Sequence, residues 1–81
     1  MATQLNRARL QKTVYLGSAC TGSDGASNRT LVHNKPLLSD SLVVNGRSVL
    51  IAGAGNDYTV SAATITFLNP VFNDDTLMVL A

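Results

Sequence analysis

The amino-acid sequence predicts an all-β fold, a small antiparallel β-sandwich or barrel-like domain of about seven short strands with a basic N-terminal arm. Three observations carry this expectation. Short runs of alternating or continuous apolar residues recur along the chain, punctuated by Gly, Asn, Asp and Pro clusters. The five acidic residues are all Asp, so the Glu that helices place on their solvent face is missing; Val, Leu, Thr, Ser and Asn dominate instead. At 81 residues there is room for one core only.

Residues 1–12, MATQLNRARLQK, are read as the arm, and residues 13–81 as a single β-domain. The first β-like run is Lys12 to Leu16, with Val14 and Leu16 on one face and Thr13 and Tyr15 on the other. Residues 17–28 carry three glycines and four serines or threonines and read as a long loop. Arg29 to His33 is the second strand, ended before Pro36, which has no N–H to donate to a ladder. Ser41 to Asn45 and Ser48 to Ala52 form a hairpin across Asn45-Gly46-Arg47, because Asn-Gly accepts the positive φ of a tight turn. Tyr58 to Ser61 and Thr64 to Phe67 form a second hairpin. There Tyr58, Val60, Ile65 and Phe67 share the buried face, while Thr64 and Thr66 face out. Its Ala62-Ala63 turn lacks Gly or Asn, so a longer turn or a bulge is expected. Thr76 to Leu80 is the last strand.

A single core of this size is marginal on its own. Cys20 is the only cysteine, so no internal disulfide can support it, and no His/Cys cluster has the spacing of a structural metal site. Three of the strands are apolar on both faces: Leu42 to Val44, Val49 to Ile51 and Leu77 to Leu80. One face enters the core and the other calls for a partner, which predicts an oligomer. Leu42, Val44, Leu50, Met78 and Leu80 are the candidate contact residues on these strands.

A formal charge of +1 gives no global pull toward nucleic acid or an anionic membrane. Arg7, Arg9 and Lys12 cluster in the arm, and without interleaved aromatics they read as a solvated arm or one that contacts a larger protein assembly, rather than as a nucleic-acid site. No signal-peptide pattern and no run long enough for a membrane span is present, so synthesis in the cytoplasm is expected.

Residues 41–80 hold an ordered set of turn and core motifs: Val44-Asn45-Gly46, Asp57-Tyr58-Thr59-Val60, Thr64-Ile65-Thr66-Phe67, then Pro70 and Asp75 before Leu77 to Leu80. This set resembles a β-module recurrent in virion proteins of tailed bacteriophages. With residues 29–40 as the strand that leads in, the likeness covers about two thirds of the chain. It departs at Ala62-Ala63 and at Phe72-Asn73-Asp74-Asp75, where the module more usually carries glycine. The resemblance implies a virion structural protein. A free-standing module with a basic lead fits a capsid decoration, or cement, protein bound to the major capsid protein, and the resembled proteins are commonly homotrimers. A tail, fibre-attachment or baseplate subunit is the alternative within the same class. A glycan-binding module is a third reading, weakened by the absence of Trp and the presence of only two Tyr.

No enzyme or cofactor is expected. The one histidine, His33, sits at a strand end with no Gly-x-Ser-x-Gly elbow anywhere, and reads as a surface or packing residue. Gly53-Ala54-Gly55 is followed by no helix that could receive a pyrophosphate. Asp74-Asp75 reads as a turn rather than a Ca²⁺ site, and Cys20 as a small loop residue.

Overall fold

The structure is a computed structural model and describes residues 11–38, 41–46 and 48–81. Seven strands form: β1 (Lys12–Leu16), β2 (Arg29–Val32), β3 (Leu42–Asn45), β4 (Ser48–Val49), β5 (Tyr58–Ser61), β6 (Thr64–Phe67) and β7 (Thr76–Leu80). They make two antiparallel sheets, one in the order β1-β7-β3-β4 and the other β2-β6-β5. The sheets share one core and, among the described residues, each keeps two edges, so the architecture is a sandwich and not a closed barrel. The chain crosses from sheet to sheet at every connection except the two hairpins, β3-β4 and β5-β6.

The core follows from the period of two along each strand. Leu77 and Val79 of β7, Val43 of β3, Leu31 of β2, and Ile65 and Phe67 of β6 all turn inward and are buried, with Tyr58 and Val71 beside them. Tyr58 lies opposite Phe67 and Val60 opposite Ile65, as the alternation predicted, although Val60 sits at the edge and stays 39% exposed. Tyr15 of β1 packs against this cluster, so Val14 and Leu16 point away from it.

Both hairpins close on two residues. In the first, Asn45 pairs with Ser48 and Gly46 takes φ 61°, a conformation that costs glycine nothing. In the second, Ser61 pairs with Thr64 directly, so the expected longer turn or bulge is absent. Ala62 itself adopts φ 54°. Its strain is held by neighbours: the Leu37 N–H donates to the Ala62 carbonyl at 3.1 Å and the His33 N–H to the Ala63 carbonyl at 2.8 Å.

The ladder of β4 is shorter than the sequence suggests. Leu50 turns onto the core, and the Ile51 N–H leaves the sheet to donate to Asp57 Oδ2 at 2.8 Å. At the other end of the sandwich, main-chain pairing reaches back to Gln11, which exchanges hydrogen bonds with Ala81. Gln11 and Lys12, read from the sequence as the end of the arm, thus pair with the C-terminal end of the chain. The arm residues Arg7 and Arg9 lie outside the described residues.

Candidate interaction surface and the buried polar groups

The outer face of the four-stranded sheet gathers most of the residues expected to make contacts. The register β1-β7-β3-β4 sets Val14, Met78, Val44 and Val49 in one line across all four strands. A second line joins Lys12, Leu80 and Leu42, and Leu16 stands opposite Thr76 in a third. Val14, Leu16 and Val49 are 54%, 58% and 61% exposed. Leu42 is exposed too, while Val44, Met78 and Leu80 in the middle strands are half-buried by their neighbours. Ile51, two residues beyond Val49, is 63% exposed.

Of the residues expected on this surface, Leu42, Val44, Met78 and Leu80 come together, with Lys12 at one corner. Leu50 does not join them, because its side chain packs against the core from the opposite side of the backbone. Val14 and Leu16 were not among the expected contacts, although the alternation in KTVYL already separated them from Tyr15, and Val49 was read only as part of the two-faced run Val49 to Ile51.

Two buried polar side chains organise the interior. Arg29 opens β2 and is only 3% exposed. Its Nε donates to the Thr21 carbonyl at 2.8 Å and Nη1 to the Val71 carbonyl at 2.7 Å. Nη2 donates to the Cys20 carbonyl at 3.2 Å and to Asn73 Oδ1 at 3.0 Å. The guanidinium thus ties the 17–28 loop to the segment between β6 and β7, its charge spread over oxygen dipoles. Gly17 permits the close approach of these segments: a Cβ there would collide with the Phe72 carbonyl oxygen.

His33 is equally buried and joins the two sheets. Its Nδ1 lies 2.7 Å from the Tyr15 hydroxyl, and Nε2 is enclosed with no hydrogen-bond partner among the described residues. Burial, helped by the charge of Lys35, lowers its pKa from the ordinary 6.5. This environment favours the neutral ring. Cys20 is buried, and desolvation raises its thiol pKa despite the lowering effect of Arg29, so the reactive thiolate is disfavoured.

Asp75 is spent on structure: Oδ2 accepts from the Phe72 N–H at 2.9 Å and from Asn45 Nδ2 at 3.3 Å. Among the described residues no group of three His, Cys or acidic side chains is placed to hold a metal ion. A groove of about 500 Å³ runs beside β5, lined by Leu37, Leu38, Ser41, Tyr58 and Val60 among others. No described helix is long and apolar enough to cross a membrane. Comparison with protein-family models, curated proteins and solved structures finds no match to this chain.

Proposed function

We propose that this protein is a non-enzymatic bacteriophage virion component, a capsid decoration protein that binds and stabilises the capsid lattice as a homo-oligomer. One observation carries the reading: the four-stranded sheet presents an apolar outer face, in register across all its strands, in a domain small enough to need a partner. The virion setting rests on the resemblance of residues 41–80 to the phage β-module. A binding role is further supported by the polar interior, where Arg29 and Asp75 serve the main chain and His33 is closed off from solvent. The basic lead, with Arg7 and Arg9, is the segment assigned to the lattice.

Copy number per virion tests this most directly. Hundreds of copies support a capsid location; about a dozen would transfer the protein to the tail or baseplate, and none would end the proposal. Deleting residues 2–10 leaves the Gln11–Ala81 pair intact. Capsid binding should weaken in that variant while self-association persists.

A further inference from the structure

Resting on the homo-oligomer reading, we infer that the outer face of the four-stranded sheet packs on the same face of a second copy, as a two-fold dimer. The size of the face is the first argument. Strands of five, five, four and two residues, about 4.8 Å apart with a rise of about 3.4 Å per residue, cover a footprint of roughly 260 Å², which side-chain relief raises to roughly 450 Å². Two such faces in contact remove on the order of 900 Å² from water, at the small end of specific interfaces, as for a reversible dimer. Sheets stacked in this way sit about 10 Å apart with their strands about 30° from alignment.

Charge is the second argument. Lys12 is the one charged residue on this face among the described residues, and it stands at a corner. A two-fold axis near the central Met78–Val44 pair puts the two Lys12 side chains at different corners, so among the described residues no charge is buried and no like charges meet. Among the described residues a partner offering charged groups would find only the corner Lys12 to pair with; an equally apolar, equally twisted sheet fits, and the second copy supplies it. The patch is also continuous. A two-fold contact uses one patch twice, whereas the trimer implied by the phage resemblance needs a second, different patch on each subunit.

Sedimentation velocity and native mass measurement of the full chain at micromolar concentration test the inference. A species of twice the chain mass is expected. Val14→Lys and Val49→Lys, on the two edge strands at exposed positions, should leave the thermal melt of the diluted protein unchanged and weaken dimerisation at least about tenfold each. A monomer, a trimer, or a dimer indifferent to both substitutions would overturn the inference. Capsid binding is scored separately. A monomer that decorates capsids through this face would remove the dimer and keep the decoration role; a dimer that ignores capsids would do the reverse.

Discussion

Replacing Arg29 with methionine tests whether one guanidinium holds the loop end of the sandwich. The variant keeps an unbranched stem and removes four donated hydrogen bonds. The bonds to the Val71 and Cys20 carbonyls are buried, so water cannot replace the lost donor without opening the site. The Val71 carbonyl keeps the Gly25 N–H at 2.9 Å and loses a charge-assisted bond worth about 1.5–3 kcal/mol, whereas the Cys20 carbonyl loses its donor, at a cost of about 1–3 kcal/mol. The bonds to Thr21 and Asn73 are only partly buried, so water takes over much of their role. The expected loss is about 3–5 kcal/mol. A domain of this length has roughly 4–12 kcal/mol in total, at about 0.05–0.15 kcal/mol per residue. Urea unfolding followed by far-UV circular dichroism measures it. With a slope of about 2 kcal/mol per molar, the midpoint should fall by about 2 M. Arg29→Lys should recover little, because a single ammonium cannot match the planar fork that reaches four acceptors. An Arg29→Met midpoint equal to that of the parent would refute the reasoning and show that water serves these carbonyls.

Ala62→Gly should stabilise the protein. Holding alanine at positive φ costs about 1–2 kcal/mol, and glycine gives back about 0.5–1 kcal/mol in backbone entropy, so a net gain near 1 kcal/mol and a rise of about 4–8 °C in Tm are expected. A lower Tm for the glycine variant would count against strain at this turn. His33 gives a pH dependence of definite sign. Its folded pKa lies below 6.5, so the unfolded chain binds a proton that the folded chain resists. Its contribution is therefore full above the ordinary pKa and is lost as pH falls from there through the depressed value. The urea midpoint should drop between pH 7.5 and 5.5, and His33→Gln should remove most of that drop; parallel profiles for the two proteins would show that His33 does not sense pH.

The strand boundaries were largely legible because they depend on neighbours along the chain. Alternation and turn residues mark β1, β5, β6 and β7 at their observed limits, and Asn45-Gly46 marks the first hairpin. The second hairpin was misread at Ala62-Ala63, because what steadies its turn is donated by His33 and Leu37, far from it in sequence. The end of β4 escaped for the same reason: Asp57 takes the Ile51 N–H out of the ladder.

What the amino-acid sequence determined by itself is the class of fold, the positions of its strands and the existence of a surplus apolar face. Only the tertiary structure decided where that face lies and who shares it. Val14 and Val49 stand in line with Met78 because β7 inserts between β1 and β3, a pairing across more than thirty residues on either side that no local pattern encodes. Leu50 and Leu80 look alike in sequence, yet one fills the core and the other stands on the outer face. Arg29 shows the same limit from the polar side. Three of its four acceptors are main-chain carbonyls, which every residue carries, so their convergence on one guanidinium leaves no mark in the sequence and arises only when distant segments fold together.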